Sequence, residues 1–215
     1  MSKSLFTTLI LGVIIIPAIV GTLLYQGGRV DRSDLENLNA TVFRVPRDIS
    51  QFELTDHTNK TFNQDSLKGN WSFIFFGFTN CPDVCPNTLS VMNVMANTLE
   101  KNQPDKVIPR FMMVSVDPKR DTVEVLSKYI PYFNNSFIGL TGKSSEQIDA
   151  ITKQFSIPYF IKKKSPTDTE YEVQHSGAIL LVNPQGKLHA LFSAPHTPEK
   201  LINEFTLIRY IHEQG

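Results

Sequence analysis

The sequence predicts an α/β fold, a mixed sheet flanked by helices, preceded by an N-terminal transmembrane helix. Three observations carry this. Residues 71–78 form a continuous run of strand length that is apolar but for Ser72, as a central strand covered on both faces requires. From there to residue 155, strand-like runs alternate with segments whose apolar residues recur at helical spacing. Residues 4–28 carry no charged side chain and 5–24 are nearly all apolar; about 20 such residues span a bilayer as a helix.

The chain has 215 residues, enough for one domain with a sizeable core once the membrane segment is set aside. Lys plus Arg equals Asp plus Glu at 21 each, so the formal charge is zero and no nucleic-acid partner is expected. Lys162-Lys163-Lys164, the longest basic run, reads as a solvated loop. Residues 1–28 read as a membrane anchor in contact with lipid, 29–50 as a tether, and 51–215 as the folded domain. No convincing small-residue cleavage site follows Ile16 or Val20, so the anchor reads as uncleaved. The tether is polar, charged and weakly patterned, with Pro46. Arg29, Arg32, Arg44 and Arg47 outnumber Lys3 across the span. A count of positives alone would keep the domain in the cytoplasm, although long domains translocate largely regardless of charge.

Within the domain, 52–55 alternates, 56–60 turns and 61–62 resumes, which predicts a hairpin. Strand 71–78 leads into a cysteine-bearing turn. Leu89, Met92, Met95, Ala96 and Leu99 then mark a helix over 88–100. A strand over 111–116 ends at Asp117-Pro118. A helix over 122–132, a strand over 137–140 and a helix over 144–155 come next. Segment 156–174 is polar and reads as an inserted loop or hairpin. Strand 178–182, the turn Asn183-Pro184-Gln185-Gly186 and strand 187–192 form a hairpin. Thr197-Pro198 opens a closing helix that runs to about His212.

Chemistry concentrates in Cys81-Pro82-Asp83-Val84-Cys85-Pro86, which holds both cysteines of the chain. Two cysteines make no disulfide framework for a domain of this size, nor a four-ligand zinc site without further partners. Four residues apart, they share a helix face about 6 Å apart along the axis, within disulfide reach. The pair can therefore close a disulfide or clamp one soft metal ion. Pro82 suits a first helical position and Pro86 disfavours α geometry at Cys85, so a tight loop or irregular first turn is expected. The helix N-terminus is expected to lower the thiol pKa and favour thiolate.

Two thiolates leave a copper ion under-coordinated, and a neutral imidazole would complete the set. Of five histidines, His175 stands out by position, at the end of the inserted segment just before the strand 178–182. A parallel arrangement of neighbouring strands is expected to carry it towards the cysteine turn. His57, His189, His196 and His212 read as non-ligands. Met92 and Met95 read as core filling rather than copper ligands. Asp83 either tunes the thiolates or caps the following turn. Asp117 either supports a ligand from behind or simply forms an Asp-Pro turn.

The stretch from Gly77 to Pro86, with Ser115-Val116-Asp117-Pro118-Lys119-Arg120-Asp121-Thr122 and Gln174-His175-Ser176-Gly177, resembles the Sco/SenC family. The resemblance extends from about Phe52 to the C-terminus. It implies a thioredoxin-like fold and a copper metallochaperone that helps assemble the dinuclear copper centre of cytochrome c oxidase. The copper-accepting subunit of that oxidase is then the partner. It also implies Cys81 and Cys85 as thiolate ligands and His175 as the imidazole ligand of a copper ion. Absence of an Arg-rich, Ser-rich presequence favours a bacterial inner-membrane protein with a single span and its C-terminal domain in the periplasm. The chain departs from the family pattern at Gln174, where an acidic residue is usual, and at Asn183, where Asp is common. The competing reading is a thiol–disulfide oxidoreductase that uses the same cysteines to reduce those of a copper-site acceptor. A copper carrier needs His175; a dithiol reductant does not.

Overall fold

The computed structural model describes residues 38–102, 107–162 and 171–214. The anchor expected over 1–28 and the first part of the tether lie outside them. Among the described residues no helix is long and apolar enough to cross a membrane.

The chain enters as β1 (Ala40–Arg47) and continues through the hairpin β2 (Glu53–Asp56) and β3 (Thr61–Asn63). A 3-10 turn (Gln64–Leu67), closed by reciprocal bonds between Asn63 and Ser66, leads into β4 (Ser72–Gly77). Then come α1 (Val84–Asn102), β5 (Arg110–Ser115), α2 (Val123–Phe133), β6 (Ile138–Thr141) and α3 (Ser145–Phe155). The hairpin β7 (Tyr159–Lys162) and β8 (Glu172–His175) precedes β9 (Ile179–Val182), β10 (Leu188–Phe192) and α4 (Pro198–Gln214). Among the described residues, eight strands form one sheet in the order β1-β10-β9-β4-β5-β6-β2-β3, and β7 and β8 pair as a sheet of their own.

The apolar run becomes β4 because both its faces are covered. Side chains alternate across a strand, so Phe73 and Phe76 point to opposite faces. Phe73 meets Phe205 of α4 with ring centroids 5.4 Å apart, and Phe76 meets Phe155 of α3 at 5.5 Å. Phe73 also stacks on Phe111 at 5.5 Å, and Phe111 on Phe137 at 5.3 Å, so one aromatic row crosses β4, β5 and the start of β6. Met92 and Met95 are fully buried in this core. β4, β5 and β6 run parallel, with Gly77 opposite Ser115 and Val114 opposite Leu140. Their crossovers bring both reactive loops, after β4 and after β5, to one end of the sheet.

The observed elements depart from sequence patterning in three places. Residues 40–47, placed in the tether, are an edge strand instead: Ala40 pairs with Phe192, and Asn39 N–H donates to buried Glu204 of α4 at 2.9 Å. A half-buried edge strand rich in charge carries little alternation, which is why it reads as linker. α1 begins at Val84, so Pro86 lies in its first turn, where the N–H it lacks would have had no intrahelical partner. Finally, β9 runs antiparallel to β4, with Ile179 opposite Phe75. Antiparallel pairing sets the start of β9 beside the end of β4; a parallel β9 would have put its start at the far end.

At the opposite end from those loops, Trp71 lies edge-on to His189 at 5.4 Å and His212 at 5.1 Å. The Asn183 amide faces His189 Nδ1 at 3.4 Å, offering a donor that an Asp there would lack. Burial, with a smaller contribution from the neighbouring His212, lowers the His189 pKa from 6.5 to about 4. The unfolded ring takes up its proton below 6.5 and the folded ring only below about 4, so this stabilisation is lost as pH falls through that window. His175 and His196 are lowered too, chiefly by burial, and act in the same direction. Urea titrations read by the single tryptophan, Trp71, should show a midpoint that falls between pH 6.5 and about 4. His189→Gln should flatten part of that fall; an unchanged pH profile would refute the assignment.

Candidate metal centre

β4 ends at Gly77, and the absence of a side chain there shapes the cysteine turn. A Cβ at Gly77 would lie 2.6 Å from Phe75 Cε1 and 3.0 Å from Cys85 Sγ. Glycine thus lets the sulfur seat directly against the strand end. The chain turns with Cys81 N–H donating to the Phe78 carbonyl at 3.3 Å. Cys85, second residue of α1, is fully buried, whereas Cys81 is half-buried. Cys85 N–H donates to Cys81 Sγ at 3.4 Å, so one sulfur takes up an amide that the helix start leaves without a partner. Both cysteines are free thiols.

The antiparallel register of β9 delivers His175. Its ring lies edge-on to Phe75 and Phe78, centroids 5.7 and 5.6 Å away. Nδ1 sits 3.0 Å from the Ser176 carbonyl, and a carbonyl accepts only from a protonated nitrogen. With the proton on Nδ1, the Nε2 lone pair faces Cys85 Sγ at 3.3 Å. Burial keeps the imidazole neutral, the form that ligates metal. Cys81, Cys85 and His175 offer ligand atoms all within 4.8 Å of one another, and among the described residues this is the one such group of three. Two sulfurs and one imidazole nitrogen suit a soft or borderline ion such as copper.

The two thiols are enclosed to different extents. Burial pushes the Cys85 pKa far up, with Cys81 as a smaller raising influence. The expected lowering by the helix N-terminus is therefore overridden at Cys85, because desolvation of a fully enclosed sulfur outweighs a terminal dipole. A cation bound at the trio would supply the charge that burial withholds and deprotonate the thiol on binding.

Asp83 does not reach the trio: it is exposed and accepts from the Asn87 amide at 2.5 Å, steadying the first turn of α1. Asp117 is buried beneath the neighbouring loop, where Arg120 pairs with it and Tyr171 donates to Oδ1 at 2.6 Å. Sequence reasoning gave no role to Asp121, whose carboxylate anchors the cysteine loop. It accepts from Thr79 N–H at 3.0 Å, from the Thr79 hydroxyl at 2.5 Å and from the Ser115 hydroxyl at 2.6 Å. Its signal was the Ser115-to-Asp121 stretch itself, but pairing with Thr79 across the sheet end is a tertiary fact. His196 also contributes unforeseen support, with Nε2 donating to the Gly177 carbonyl at 2.7 Å. His57 accepts from Gly139 N–H at 3.1 Å and lies outside the trio, as do His189 and His212.

A helix-flanked mixed sheet with two cysteines after a central strand and a histidine just before the antiparallel neighbour defines a thioredoxin-like domain with a soft-metal ligand set. The SCO1/SenC family model matches residues 45–208, and the chain belongs to that family. The SCO2-like protein of Rickettsia felis is 39% identical over 151 residues, 70% of this chain and 72% of its own. Among solved structures, Bradyrhizobium japonicum ScoI with copper bound is similar at 32% identity and a TM-score of 0.63, over 75% of this chain and 98% of that one. Arabidopsis thaliana ScoI with copper bound gives 29% identity and a TM-score of 0.67, over 76% and 98%.

The unequal burial has a direct chemical readout. Under reducing conditions, iodoacetamide should alkylate Cys81 first and Cys85 only on unfolding, as peptide mass mapping would show. Equal rates in the folded chain would contradict the enclosed position of Cys85.

Proposed function

We propose that the protein is a copper carrier that helps assemble the dinuclear copper site of cytochrome c oxidase, with the copper-accepting subunit as its partner. The observation that carries this is the convergence of Cys81, Cys85 and His175, the last two 90 positions apart in sequence. Relatives solved with copper bound support the choice of metal. Copper is cargo: Cys81 and Cys85 hold Cu(I) as thiolates, His175 completes the set, and the half-buried Cys81 is the point where an acceptor ligand can enter. Residues 1–28 anchor the carrier in a bacterial inner membrane with the domain in the periplasm, close to an acceptor in the same membrane. The apolar 5–24 run and the family resemblance support this placement.

The pairing of an accessible Cys81 with an enclosed Cys85 favours a second reading, a thiol–disulfide oxidoreductase. In that reaction the Cys81 thiolate attacks an acceptor disulfide and forms a mixed disulfide. Cys85 then loses its proton and displaces the acceptor thiolate. The acceptor gains two electrons and two protons, and the Cys81–Cys85 pair becomes the disulfide.

Anaerobic Cu(I) titration of the full chain against a chromophoric competitor, run beside a disulfide-reduction assay, separates the two. Wild type should bind about one copper per chain, Cys81→Ser and Cys85→Ser should lose it, and His175→Ala should bind at least about tenfold more weakly. Unchanged copper affinity in His175→Ala, with reductase activity lost only in the cysteine variants, would favour the oxidoreductase.

A further inference from the structure

His175 sits on a hairpin that, among the described residues, shares no ladder with the main sheet: β7 and β8 pair with each other. A two-stranded hairpin is marginal by itself and takes its position from what it docks on. Along β8, Glu172 and Gln174 are exposed while Tyr171, Val173 and His175 are half-buried. Strand periodicity puts those three on one face, turned to the domain body. His175, at one end of that face, meets Cys85 Sγ at 3.3 Å. Tyr171, at the other, is held in three ways. Its hydroxyl donates to Asp117 Oδ1 at 2.6 Å, and its carbonyl accepts from Arg120 Nη1 at 3.3 Å. Its ring also lies under the Arg120 guanidinium at 3.8 Å. Arg120 is itself ion-paired to the buried Asp117 and lies 5.9 Å from the Phe78 ring, which touches His175.

We propose that Tyr171 is a positioning residue. Docked on Asp117 and Arg120, it latches the β7–β8 hairpin so that the His175 imidazole is held at the two sulfurs; undocked, it lets the imidazole leave while the cysteine pair, fixed to β4 and α1, stays. The latch is then the control on whether cargo is held by three ligands or by two. The inference rests on the copper reading for its consequence but not for its geometry.

The test uses the full chain in mild detergent, with Tyr171→Phe made in wild type and in His175→Ala. Tyr171→Phe keeps the ring and removes one hydroxyl, so the fold is retained. In wild type it should weaken Cu(I) binding about tenfold, the scale of one hydrogen bond to a buried charged group. In His175→Ala it should change nothing, because the latch acts through the imidazole. X-ray absorption of the Cu(I)-loaded Tyr171→Phe chain should show reduced nitrogen ligation with both sulfurs kept. An equal loss in both backgrounds would mark Tyr171 as merely structural and overturn the latch, as would no loss in either. A second readout needs no copper: in 13C-histidine-labelled chain, Tyr171→Phe should shift the His175 ring resonances and leave those of His57 in place. If wild type binds no Cu(I) yet those resonances shift, the copper reading fails and the latch stands. If they do not move, the latch fails.

Discussion

The antiparallel pairing of β9 with β4 is the constraint on which the rest depends. With Ile179 opposite Phe75, the residues entering β9 must pass over the end of β4, where the cysteine loop begins. No local preference of His175 takes it there; the register of two buried strands does. Both strands are fully buried along the pairing, and a slip by one residue would turn each apolar side chain to the wrong face. The route of the chain past the cysteine loop is therefore secured by the same hydrophobic burial that stabilises the core, while the final seating of the imidazole is left to the docking of the β7–β8 hairpin.

Around that fixed point, polar groups are committed to holding loops. Asp121 stays buried with three donors aimed at it, an arrangement that offsets part of the cost of enclosing a carboxylate. Burial still raises its pKa despite those bonds. The same tension recurs at Cys85, where enclosure favours the neutral thiol. The buried Cys85 thiol and the neutral His175 imidazole meet without charge of their own, and a cation bound there would release the Cys85 proton. The sulfur and imidazole donor atoms favour soft cations over hard ones.

Much of this was legible in sequence, for identifiable reasons. β4 announced itself because a nearly unbroken apolar run has few other uses, and α4 because Thr197-Pro198 is a strong start signal. The two sulfurs were legible because a proline-flanked pair in a strand-to-helix turn is uncommon. His175 could be singled out by position, but the direction of β9 could not, since strand periodicity is the same either way. β1 was hidden for the opposite reason: an edge strand half in solvent has a composition close to that of a linker. Asp121 and Tyr171 were illegible because each acquires its role from a partner over 40 positions away, Thr79 for one and Asp117 for the other.

The division of labour among the ligands follows from where they are mounted. Cys81 and Cys85 belong to one rigid unit: a buried strand end, a glycine that admits the sulfur, and the first turn of a long helix whose apolar face is core. His175 belongs to another, a hairpin with its own short ladder, joined to the body through ring contacts, polar bonds and the packing of Tyr159 and Val173 on the core. Removing a ligand from the first unit requires disturbing the centre of the core; removing it from the second requires undocking a hairpin whose Tyr159 and Val173 pack at the core's edge. A storage site would gain nothing from this asymmetry. On the carrier reading, a site that must both keep its ion in transit and surrender it to an incoming ligand needs one ligand that leaves more easily than the rest, and the separate β7–β8 hairpin is where such a ligand would be mounted.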